Sequence, residues 1–357
     1  MSPDSLACGC EFPPRSSRHG VNRRDFLRAA AAGLAATATA PLWTPQAVAA
    51  PSPSDASETL VAQLYKSLDD TQRGAVCFDF DHPLRDKVDN NWMITRKSLD
   101  DVLKPDQKDL VRQIYRGLHR PDFADRAMQQ AIHDSEGKGF DGGTSIALFG
   151  QPGSGKFEFV LTGRHITRRC DGDSVEGAAF GGPIFYGHQA GDKDTEHAEH
   201  PGNVFWFQAK RANEFFQALD GKQRAVALID GRGRAEAATD TVRLTGKKSG
   251  LQGLPVSELS KDQRELVRKV MDDLLAPFRK ADADEAMKLV DAQGLEHLHV
   301  AFFKQQDLGN DGVWDVWQIE GPNLIWYFRG APHVHCWAHV RQPAAACRDP
   351  GPDRVCP

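Results

Sequence analysis

Leu259-Ser260-Lys261-Asp262-Gln263-Arg264-Glu265-Leu266-Val267-Arg268-Lys269 restates, 156 residues later, Leu103-Lys104-Pro105-Asp106-Gln107-Lys108-Asp109-Leu110-Val111-Arg112-Gln113. Each phrase starts a helix: a residue of capping type precedes a Gln placed in the first turn, where a capping box requires it. Two further copies, Leu68-Asp69-Asp70-Thr71-Gln72-Arg73 and Leu219-Asp220-Gly221-Lys222-Gln223-Arg224, stand 151 residues apart. Nearly equal offsets point to an internal duplication. The residues downstream of the phrases agree: Ala127-Met128 is echoed by Ala286-Met287, the apolar run 144–149 by 297–303, and 157–166 by 314–324.

The pattern predicts an α+β fold: helices followed by an antiparallel β-hairpin or meander in each of two pseudo-symmetric halves, about 59–202 and 203–341, packed as one unit. The segment 58–77, with Leu60, Leu64 and Leu68 at helical spacing, is expected to be a helix. Residues 50–58 read as a Pro/Ser-containing linker and 342–357 as a Pro/Cys-containing tail. The register lays Gly163-Arg164-His165 over Gly321-Pro322-Asn323.

The first 49 residues read as a leader. Asn22-Arg23-Arg24-Asp25-Phe26-Leu27-Arg28 is a twin-arginine phrase, an Ala-rich run comes next, and Ala47-Val48-Ala49 gives a cleavage signature. Pro41 and Pro45 interrupt a run too short to span a bilayer, so the expectation is a periplasmic or secreted chain without a stable membrane anchor. Lys and Arg total 44 against 49 Asp and Glu; losing the leader's five basic and three acidic groups leaves −7. That balance gives no general affinity for nucleic acid. None of the seven cysteines forms a C-x-x-C pair, and Cys347 and Cys356 could close a small disulfide in the tail.

Chemistry concentrates in the run 321–340, GPNLIWYFRGAPHVHCWAHV. On a strand His333 and His335 leave the same face, a ready chelate for a borderline divalent metal such as zinc or copper. His339 shares their parity, and Cys336 points the other way. If the halves pack about a pseudo-twofold axis, His165 converges on this pair. His188, ending the apolar run Phe185-Tyr186-Gly187, is a further candidate ligand. Asn323, the mate of His165, would orient a substrate, and Glu320 would accept a proton. His197-x-x-His200 lies in a charged loop, where a solvated role explains it better.

Three other phrases have plainer readings. Gly150-Gln151-Pro152-Gly153-Ser154-Gly155-Lys156 resembles part of a phosphate-binding loop, but Phe157 stands where Ser or Thr should hold magnesium, and a hairpin turn explains it. Asp307, Gly309, Asn310 and Asp311 lack the glutamate that closes a calcium loop. Asp79-Phe80-Asp81-His82-Pro83 reads as a polar turn.

The Leu-x-x-x-Gln-Arg phrases, the run with Gly163-Arg164-His165, Ile319-Glu320-Gly321-Pro322-Asn323 and the closing His333-Val334-His335 resemble the bacterial family called domain of unknown function 3500, over roughly 59–341. The resemblance implies a shared fold, no established reaction, and His165, His333 and His335 as the matching histidines. It leaves His188 as a local feature.

The functional expectation is an exported metal-binding protein using His165, His333 and His335, as a metal-dependent hydrolase or oxidase. The alternative is a non-catalytic sugar- or peptide-binding module whose groove is lined by Trp317, Trp326, Tyr327 and Trp337.

Overall fold

A computed structural model describes residues 50–52, 54–189, 204–305, 307 and 312–343. The leader, His197, His200, Gly309, Asn310, Asp311, Cys347 and Cys356 lie outside the described residues.

The segment expected as one helix is two, α1 (Ala56–Ser67) and α2 (Asp70–Val76). Asp69 breaks it by taking extended backbone, its carboxylate accepting the Gln72 N–H while Gln72 Oε1 accepts the Asp69 N–H. β1 (Cys77–Phe78) comes directly after. Then come α3 (Leu99–Val102), α4 (Pro105–Gly117), α5 (Ala124–His133) and α6 (Gly139–Gly143). Four strands complete this part: β2 (Thr144–Gly150), β3 (Phe157–Gly163), β4 (Ile166–Cys170) and β5 (Ile184–His188).

The second part opens with α7 (Trp206–Gln217) and α8 (Gly221–Ala227), which leads straight into β6 (Leu228–Arg232). After β7 (Leu254–Pro255) come α9 (Lys261–Leu275) and α10 (Lys280–Gln293). The last strands are β8 (His299–Gln305), β9 (Val316–Gly321), β10 (Leu324–Arg329) and β11 (Val334–Val340).

All the strands join one mixed sheet, in the order β1-β2-β3-β4-β5-β11-β10-β9-β8-β6, with β7 beside β8. The expectation of antiparallel strands alone needs correction at both edges, where β1 pairs β2 and β6 pairs β8 in parallel. The reason is connectivity: helices intervene between the partners, and such crossovers return a strand in the same direction. At the centre β5 and β11 run antiparallel, with His335 opposite Gly187 and Val334 opposite His188.

The four repeated phrases meet in two pairs. Gln72 and Gln107 exchange side-chain amide hydrogen bonds of 2.7 and 3.1 Å, and Gln223 and Gln263 exchange a pair of 3.0 and 2.7 Å. Each Oε1 also accepts the N–H of its helix cap, so one residue type closes a helix start and ties it to another.

The helices cover one sheet face and bury Val111, Ile114, Leu274, Tyr186, Trp326 and Phe328 among their neighbours. On the opposite face Phe185, Tyr327 and Trp337 pack with Val88 and Val242, from the irregular segments after β1 and β6. This second, loop-covered face carries the site. Among the described residues no helix is long and apolar enough to cross a membrane.

Candidate metal centre

His165 occupies the two-residue turn between β3 and β4, with φ of +59°. A residue other than glycine is rarely held in that left-handed region, and such strain persists where the surroundings fix it. Here its N–H donates to Asn90 O at 3.0 Å, and its ring Nδ1 lies 2.7 Å from Asp134 Oδ2, just past the end of α5.

His333 immediately precedes β11, and His335 is its second residue. His335 Nε2 lies 3.1 Å from His165 Nε2 and 3.0 Å from His333 Nε2. On its other side His335 Nδ1 lies 2.5 Å from Glu236 Oε2, and Glu236 is held in turn by the Arg329 Nε at 2.5 Å. His165 and His335 are buried, at 4% and 7% exposure, while His333 is half-buried and forms the open side.

Protonation is set by these contacts. Burial lowers His335 to about 3 against the opposing pull of Glu236, so its ring is neutral near pH 7. Burial alone would raise Glu236, yet the His335 hydrogen bond and the Arg329 charge bring it to about 2. Asp134 balances likewise: burial raises it, the His165 ring more than offsets this, and its carboxyl sits below the usual range. If Nδ1–H of each ring donates to its carboxylate, Nε2 is left as a lone pair facing the other rings; at His335 the same Nδ1 also lies 2.5 Å from Arg329 Nη2, a group that only donates. Lone pairs at 3.0–3.1 Å repel unless a cation or a shared proton lies between them. These three histidines form a group that could hold a metal ion.

Other expected residues stand elsewhere. His188 does not join the cluster; strand alternation sends it with Tyr186 to the helix face, where both rings pack on Phe205. Phe185, its odd-numbered neighbour, is the one that packs on His335 at 5.2 Å. Glu320 pairs across to Ile325 and thence to His339, four residues along β11 from His335, or about 13 Å. It is bound by Arg234 at 2.7 Å and Gln318 at 2.9 Å. Asn323 lies at the far end of β10 from Arg329, about 20 Å away, its N–H donating to Gln293 Oε1. Strand direction explains this: with β5 and β11 antiparallel, the β3–β4 turn and the β9–β10 turn fall at opposite ends of the sheet.

His339 bonds Val242 O at 3.2 Å and Cys336 accepts the Trp326 indole N–H at 2.9 Å on the helix face, so neither is a ligand. The expected aromatic groove does not exist: Trp317, Trp326, Tyr327 and Trp337 are wholly buried. Phe157 begins a strand after the Gly150 turn, where a phosphate loop would need a helix. Glu236, Asp134 and Arg329 were not legible as site residues. Glu236 lies in an irregular segment 99 residues from His335, and nothing local marks it.

Residues 51–346 match the family model described as protein of unknown function (DUF3500). No curated protein and no solved structure gives a significant match.

Proposed function

The chain belongs to the DUF3500 family, whose description assigns no reaction, and we propose from the site's own chemistry that it is an exported metal-binding protein holding zinc or copper. The observation that carries this reading is the convergence of three Nε2 atoms, two of the rings backed by carboxylates. Carboxylate–histidine–metal triads fix the tautomer and raise ligand basicity. Three imidazoles leave at least one coordination position open, and His333 gives that position a route to solvent. A metal there would activate water for hydrolysis or bind oxygen for an oxidation. Asp134 and Glu236 would hold the ring protons in place throughout. Export rests on the twin-arginine phrase and the Ala47-Val48-Ala49 signature.

The test is expression of the untagged full chain, recovery of the periplasmic fraction and metal analysis. The reading expects an N-terminus near Ala50 and one equivalent of zinc or copper, lost in a His333→Ala, His335→Ala double variant. Metal-free protein whose melting temperature ignores both ions would sink it.

The two parts also carry the marks of one duplicated unit. Both edges repeat a capped helix running into a parallel strand, and both reciprocal Gln pairs tie the first phrase of a part to its second. An experimental structure in which 59–189 and 204–341 fail to superpose over their four matched helices would refute it.

A further inference from the structure

A cavity of about 680 Å³ at the β1 edge gathers both sequence features that the metal centre leaves unused, the Asp79–His82 phrase and the Gly150–Lys156 turn. It lies four strand spacings from β5, roughly 20 Å across the sheet. Its volume falls in the usual range for small-molecule sites.

The apolar walls are the half-exposed rings of Tyr65, Phe78 and Phe80. These rings are fixed: Arg73 stacks on Tyr65 at 4.3 Å, Arg85 stacks on Phe80 at 4.6 Å, and His82 lies 4.7 Å from Phe78. The polar lining is Asp79, His82, Gln151 and Lys156. Of these, Asp79, Gln151 and Lys156 are exposed.

Two ligand classes are excluded by the bonding. A phosphate cradle of the backbone type needs free N–H groups, but Gln151 O accepts those of Ser154 and Gly155 and Gln151 N–H donates to Lys156 O, and Asp79 offsets Lys156, the one cation in the lining. A soft metal needs a thiolate or an imidazole lone pair. Burial pushes the Cys77 thiol up to about 11, and His82 Nδ1 already accepts the Leu84 N–H at 3.3 Å. That bond leaves Nε2–H of His82 as a donor.

What remains is one negative and one positive side chain, a mixture of donors and acceptors, and rigid aromatic faces. A ring with hydroxyls at its edge and C–H groups on its face matches all three, since hydroxyls both donate and accept. We propose that this cavity binds a neutral saccharide of one or two rings, its pyranose face on Tyr65 and Phe80 and its hydroxyls on Asp79, His82, Gln151 and Lys156. The site is independent of the metal centre.

Saturation-transfer NMR on the full chain with maltose, cellobiose and chitobiose as probes tests this. The expected result is ring-proton signal from at least one disaccharide, with affinity lowered tenfold or more by Asp79→Ala and by Gln151→Ala, and metal content unchanged. Both substituted side chains are exposed, so the fold should tolerate the changes. No signal from any of the three, or signal that both substitutions leave intact, overturns the proposal. So does binding confined to a charged aromatic probe such as indole-3-acetate.

Discussion

At the scale of single residues, the three-histidine group is backed by two carboxylates that stand outside it. Glu236 contacts Nδ1 of His335, beside the Arg329 Nη2 that contacts the same atom, and Asp134 contacts Nδ1 of His165. Glu236→Gln and Asp134→Asn keep the shape but remove the fixed acceptor charge, and each is expected to weaken metal binding by about 10- to 100-fold. Competition against a chelator of known affinity measures this. Unchanged affinity in both variants would show that the carboxylates only pack. The histidines themselves were legible: period-two spacing put His333 and His335 on one face, and the repeat register, then the family resemblance, pointed to His165. Their partners were not, because a carboxylate contact across 31 or 99 residues leaves no local periodicity.

At the scale of elements, the same Gln–Gln pairing occurs in two environments and permits a controlled comparison. Gln107 is buried, and removing it takes a partner from each end of the buried Gln72 amide, where water cannot easily replace it. Gln263 is half-buried, so water can replace its partners. Gln107→Ala should cost about 2 kcal/mol and Gln263→Ala about 1 kcal/mol or less. Urea unfolding of the two variants checks the order, and a larger loss at Gln263 would contradict it. Helix starts were readable because capping is local, set within four residues. The 58–77 run keeps its apolar spacing across Leu68 and so reads as one helix, although the Leu68–Arg73 phrase also marks a helix start; Asp69 makes that start real.

At the scale of the whole molecule, stability against pH is set by two opposed groups of buried side chains. Burial raises Asp171 and Asp282 to about 7 and Glu285 to about 8, with the neighbouring carboxylates adding to the effect. One guanidinium, Arg279, serves both Glu58 and Asp282. A carboxyl raised on folding binds its proton more tightly in the native state. Its contribution is therefore complete below the unfolded value near 4 and lost as pH climbs through 7 and 8. Buried His119 and His335, lowered to about 3, and His339, lowered to about 4, act oppositely, and their effect is over above the unfolded value near 6.5. Between pH 7 and 8.5 the carboxyls complete their loss and the unfolded-state thiols of Cys77, Cys170 and Cys336, all raised on folding, begin to ionise, so the melting temperature should fall there. Glu285→Gln should flatten the fall. A melting temperature that holds or rises across that window in the parent protein would disprove this account.

The sequence by itself determined the four capped helix starts, the strand-forming runs, the α+β class and the histidines on one strand face. Each depends on spacing within a few residues, which backbone geometry converts directly into a face or a cap. Only the tertiary structure decided the parallel edges, the burial of the four aromatics, the exile of His188, Glu320 and Asn323, and the arrival of Glu236 and Asp134. These depend on which strands become neighbours and in which direction they run. The antiparallel meeting of β5 and β11 sends the β3–β4 and β9–β10 turns to opposite ends of the sheet, and no local pattern along the chain encodes that choice.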